Sequence, residues 1–142
     1  MARAPAAPYL LRDGARLRVV NATSGHVLAE RADVAASSWR RMRGLLGRPA
    51  LSPGQGLLIR PCQGVHTLGM PYPIDVVHLD RELVVRKVLH GLRPWRVGPL
   101  IWRTSMVLEL RPGAADGTYE GDRLALEPLD PDGSPLPKVS SE

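Results

Sequence analysis

Phenylalanine is absent from this 142-residue chain, and three Trp and three Tyr are its only aromatics. A core without those rings must be filled by Leu, Val, Ile and Met. Cysteine occurs once, as Cys62, which excludes an intrachain disulfide and fits a reducing compartment. No apolar run approaches the roughly 18 residues of a membrane span. Residues 1–8 carry an Arg and two prolines but no apolar segment of the kind a secretory signal needs. These absences predict a cytoplasmic protein with no membrane among its partners. Phosphate loop, dinucleotide fingerprint, serine elbow and metalloprotease helix are all missing, as is any internal repeat.

What is present is turn chemistry and positive charge. Gly and Pro number 14 each, which favours many turns and few long helices. The length suits one domain with its own core. A net charge of +5 and a pI near 10.1 read as a solvated, arginine-rich surface. A nucleic-acid reading needs clustered cations with stacking aromatics. Only residues 39–43 and 93–96 come near that pattern, so nucleic acid is not an expected partner.

Taken in order, residues 1–15 read as a flexible segment, 16–127 as one domain, and 128–142 as a Pro-rich tail. Residues 17–21 and 26–34 predict a hairpin around Thr23-Ser24-Gly25, with His26 solvated beside the turn. Trp39, Met42, Leu45 and Leu46 fall at helical spacing behind Ser37 or Ser38 as cap. Gly47 and Arg48-Pro49 would end that helix, over about 37–46. Further strands are expected at 57–60, 74–79, 83–90, 101–110 and 123–127. Residues 107–110 are the firmest part of the sixth of these seven, and 114–119 suggest one helical turn. The gaps look too short for crossover helices. The fold class is therefore mainly β: a small closed or partly open antiparallel barrel with one covering helix.

The most informative stretch is Cys62 to Asp80, a small-residue loop feeding a short apolar strand. Its "HTLGMPYPIDVVHLD", with "RGLLGRPAL" and "GQGLLIRPCQGVHT" upstream and "LRPWR", "VLELRPGAA" and "EGDRL" downstream, resembles domain-of-unknown-function family 192. The likeness runs from about Val27 to Leu126. It implies a compact, mainly β domain and brings no reaction with it. In relatives an aromatic residue usually stands where this chain has His78.

In an extended strand Ile74, Val76 and His78 face one way, and Asp75, Val77 and Leu79 the other. Both sets are largely apolar, so Asp75 should be at least half buried and must find a partner. The candidates are His66, Arg43 and the amides of loop 64–69. Two roles stay open for it: a pin that fixes a loop, or a ligand-binding or proton-transfer group. His66 is either a hydrogen-bonded loop residue or a general base, with Thr67 beside it. Glu109 faces solvent by simple alternation, or joins Asp75 and Arg43 in a pocket. Trp95 plugs a barrel mouth or lines a groove. Cys62 and His66, four apart, offer a nucleophile and base or two metal ligands, but two are too few for a metal site, and Cys62 is expected to be buried and inert. No metal or other cofactor is expected.

The resulting expectation is a binding or accessory domain with a polar pocket near 62–75 for a small molecule or peptide. Its proposed lining is His66, Thr67, Asp75, Arg43, Glu109 and Trp95. One alternative is an enzyme using His66 and Asp75 as an acid/base pair. Another is an interaction module that presents the Trp95 loop to a protein partner.

Overall fold

A computed structural model describes residues 8–37, 41, 49–67 and 70–135. The expected covering helix, Ser37 and Arg41 apart, falls outside the described residues, as does Arg43. Seven strands are present: β1 (Arg16–Asn21), β2 (Val27–Ala35), β3 (Gln55–Ile59), β4 (Ile74–Leu79), β5 (Val85–Leu92), β6 (Met106–Leu110) and β7 (Leu124–Pro128). Alternating or continuous Val, Leu and Ile bounded by Gly, Pro and Asx turns produce them. The β1–β2 turn shows how. Asn21 Oδ1 accepts the amides of Thr23 and Ser24, and Gly25 takes the left-handed conformation that closes the hairpin.

The strands form one sheet in the order β5-β4-β6-β3-β2-β1-β7. Every pair is antiparallel except β2 with β3. That parallel pair departs from the all-antiparallel expectation. It uses the longest connection in the sheet, residues 36–54, which has the length a same-direction return requires. The two edge strands meet at one end. Val84 bridges Arg123, Val85 N donates to Asp122 O at 2.8 Å, and Leu124 N donates to Leu83 O at 2.9 Å. The sheet is thus a curled half-barrel, sealed along this short seam, where no free edge remains.

Two apolar layers result. The inner one gathers side chains from all seven strands, among them Leu17, Val34, Leu58, Leu79, Val85, Leu108 and Leu124. Leu11 and Ala15 join it, so the packed domain begins earlier than composition suggests. The outer layer lies on the other face of β3, β4 and β6. There Leu57, Ile59, Ile74, Val76 and Val107 are covered by Val65 and Met70 of the connecting loop 60–73. The central strands are therefore buried on both faces, which is why β4 and β6 are apolar nearly throughout. Residues 101–105 are loop rather than strand, and 114–119 form turns without a helix.

Candidate functional site

Asp75 points from β4 into the inner layer and is 1% exposed. Its Oδ1 accepts Gly91 N at 2.8 Å, and its Oδ2 accepts Gly113 N at 3.0 Å and Ala115 N at 3.1 Å. Gly91 and Gly113 both have positive φ, which aims their amides inward. The expected partners were His66, Arg43 and loop 64–69; the observed ones are the bend in β5 and the turn after β6. The carboxylate is a pin. His90 Nδ1 lies 3.9 Å from Asp75 and 3.5 Å from Asp116, the only grouping of metal-ligand type among the described residues. Asp75 Oδ2 already serves two amides, so the trio offers a cation little free ligand capacity.

His66 is exposed and bridges Val97 through its backbone. No hydrogen bond or ion pair joins it to Asp75, whose oxygens are occupied. The acid/base pair is not formed, because β4 turns Asp75 away from the loop that carries His66. Thr67 is fully buried and grips the crossing loop instead. Its Oγ1 donates to Arg93 O at 2.5 Å and accepts Arg96 N at 2.9 Å, while its backbone bonds Trp95 N and Arg96 O. Trp95 is held at φ 60°, a left-handed conformation that disfavours a bulky residue. Its side chain is 65% exposed, so it plugs nothing.

Glu109 lies on the opposite face of the sheet from Asp75, and the two share no pocket. Alternation would have placed Glu109 in solvent. Loop 60–73 covers that face instead, leaving Glu109 4% exposed. Burial lifts its carboxyl to about 7, and Oε2 has no partner. Glu109 pairs across the ladder with Val76, so His78 is its diagonal neighbour on the same face. His78 is fully buried, with Nδ1 3.3 Å from Thr104 Oγ1 and Nε2 unpartnered. Burial pushes its pKa down. The Cys62 thiol donates to Gly64 O rather than engaging His66. Burial, and secondarily the Glu109 charge, push the thiol up, which disfavours a nucleophilic thiolate.

A cleft of about 790 Å³ opens where β3 and β4 end and β6 begins. Arg60, Arg81, Arg103, Cys62, Thr104 and Ser105 line it over a floor that includes Leu11 and Met106. Ser105 Oγ is buried without a partner. Asp80 stands on the rim, but its Oδ1 is engaged by the amides of Glu82 and Val84. A second trough of about 530 Å³ adjoins it, sharing Gln63, Arg103 and Thr104 and adding Leu100, Ile101 and Trp102. The cleft touches the predicted 62–75 segment only at Cys62 and Gln63. Its arginines come from three separate connections, which no spacing in the sequence links.

The model of domain-of-unknown-function family 192, described as an uncharacterised ACR, matches residues 19–126. The structure of a candidate transcription regulator from Sinorhizobium meliloti 1021 is similar, with a TM-score of 0.65 and 24% identity over 79% of this chain and 92% of that one. A protein of unknown function from Novosphingobium aromaticivorans DSM 12444 gives a TM-score of 0.67 and 23% identity over 87% and 94%. At these identities the likeness is one of fold alone. No curated protein matches the chain.

Proposed function

The chain belongs to domain-of-unknown-function family 192, and from that premise we propose that it is a binding module whose ligand lies in the cleft beside Cys62. The observation that carries this reading is the convergence of Arg60, Arg81 and Arg103 with Thr104 and Ser105 around about 790 Å³. That volume suits a small molecule or the end of a peptide. Guanidinium groups recognise carboxylate or phosphate through paired N–H donors, and hydroxyls fix orientation. The ligand class is therefore anionic, with an apolar portion that continues into the Leu100–Trp102 trough.

A thermal-shift panel of acidic metabolites and short acidic peptides tests it. A true ligand stabilises the wild-type chain, and Arg81→Ala or Arg103→Ala weakens its binding. Each tenfold loss of affinity removes about 1.4 kcal/mol of ligand-induced stability at saturation. Stabilisation retained in both variants would place the ligand elsewhere.

A second reading, an interaction surface at the Trp95 loop, is favoured by the exposure of Trp95, Val97, Leu100 and Trp102. Large apolar side chains clustered in solvent mark contact surfaces.

A further inference from the structure

We propose that residues 93–103 dock the protein on an anionic lipid surface. Trp95, Val97, Leu100 and Trp102 enter the headgroup region, and Arg93, Arg96 and Arg103 meet the lipid phosphates. This rests on the loop being an interaction surface; it shares Arg103, Leu100 and Trp102 with the cleft reading, which Arg81 tests alone.

Scattered exposed hydrophobic residues are ordinary, but these four fall within eight consecutive positions at 65%, 73%, 78% and 79% exposure. Along the chain around them the charge has one sign, although in space Asp80 and Glu82 share the cleft that Arg103 lines. Between Glu82 and Glu109 the chain contains no acidic residue, while Arg86, Lys87, Arg93, Arg96 and Arg103 all lie there. Among the described residues Arg93, Arg96 and Arg103 form no ion pair. By contrast, Arg18 is paired with Glu30 and Glu127 at 3.0 Å each, and Arg16 with Asp33 at 3.5 Å. The loop is also set in place before contact. Thr67 fixes its first turn, and Trp95 and Arg103 are both held at positive φ.

Lipid fits this surface better than a protein partner. Leu100 and Trp102 line the trough while Trp95 and Val97 lie outside it, so a protein would need more than one matching pocket. A fluid interface closes around them without complementary shape. Trp is the side chain suited to the headgroup layer, and nearby arginines are drawn to anionic lipid. Docking of this kind needs no spanning segment, and among the described residues no helix is long and apolar enough to provide one.

Co-sedimentation of the full chain with phosphatidylcholine vesicles, with and without phosphatidylglycerol, is the test. Binding is expected only with phosphatidylglycerol, with a blue shift of Trp emission and loss at high salt. Trp95→Ser with Trp102→Ser, and separately Arg93→Glu with Arg96→Glu, should each lower partitioning by about tenfold or more. Unchanged melting temperatures would show that both variants fold. No binding to anionic vesicles, or binding indifferent to both pairs, overturns the proposal. So does loop-dependent binding to polyglutamate, or loop-dependent self-association by light scattering, without vesicle binding. Those last results would keep the interaction surface and reject lipid as its occupant. Ligand stabilisation dependent on Arg81 is read separately and reports on the cleft alone.

Discussion

Burial holds the Glu109 carboxyl near 7, so the folded protein keeps a proton that the unfolded chain has released by then. Its folded pKa is raised above the unfolded value of 4.5. Its contribution to stability therefore falls as pH rises from about 4.5 to about 7 and is constant above, a loss of about 3 kcal/mol at most. Glu109→Gln should be more stable than wild type at about pH 8 by roughly 1–3 kcal/mol and close to it at acid pH. Urea unfolding at the two pH values measures this; equal stabilities at alkaline pH would mean that the carboxylate is solvated. His78 works in the opposite sense. Its folded pKa is depressed below 6.5 by burial, so stability is lost as pH falls below that value. His78→Phe, which replaces the buried imidazole with an apolar ring, should flatten the acid side of the profile. Asp75→Asn should be the costliest of these changes, by about 3 kcal/mol or more, because an amide N–H would face backbone N–H groups now bonded to carboxylate. A denaturant midpoint close to wild type would contradict the pin.

At the scale of elements, Thr67 and the crossing loop behave as one unit. Thr67→Val keeps the shape but removes the side-chain bonds to Arg93 O and Arg96 N. It should cost about 1–2 kcal/mol and speed amide exchange at Arg96 without altering β4. Exchange by mass spectrometry reads both. The strands were legible where apolar runs met clear punctuation: β4 matches its expected 74–79, and the β1–β2 hairpin closes on the expected Thr-Ser-Gly turn. They were illegible where loop and strand share a composition. Ile101-Trp102 looks β-prone, yet the strand begins at Met106, after a turn held by Arg103 at positive φ. The burial of Asp75 was readable from its apolar neighbours, but its partners were not. They lie 16, 38 and 40 residues away, and only the fold brings them together. Glu109 was misjudged by alternation for a related reason: a strand's pattern shows which side chains share a face, not whether a distant loop covers it.

For the whole molecule, the seam between β5 and β7 decides how the half-barrel opens. Amide exchange at Val85 and Leu124 should be as slow as in the central strands, whereas the outward amides of β5 beyond the seam should exchange like those of an open edge. Val85→Pro removes the donor to Asp122 and should release β7 from β5 while leaving the β4–β6–β3 centre paired. Fast exchange at Val85 in the native chain would mean the sheet is not sealed there. The double burial of that centre has one more effect. Where both sides of a strand are greasy, hydrophobicity scarcely notices a slip by one position, since one oily set replaces the other. The buried polar groups mark the difference, Asp75 and His78 in β4 and Glu109 in β6. Slide β4 by a single residue and Asp75 loses all three amides at once. The acid thus serves as an alignment key, rejecting misthreaded pairings that its apolar neighbours would tolerate.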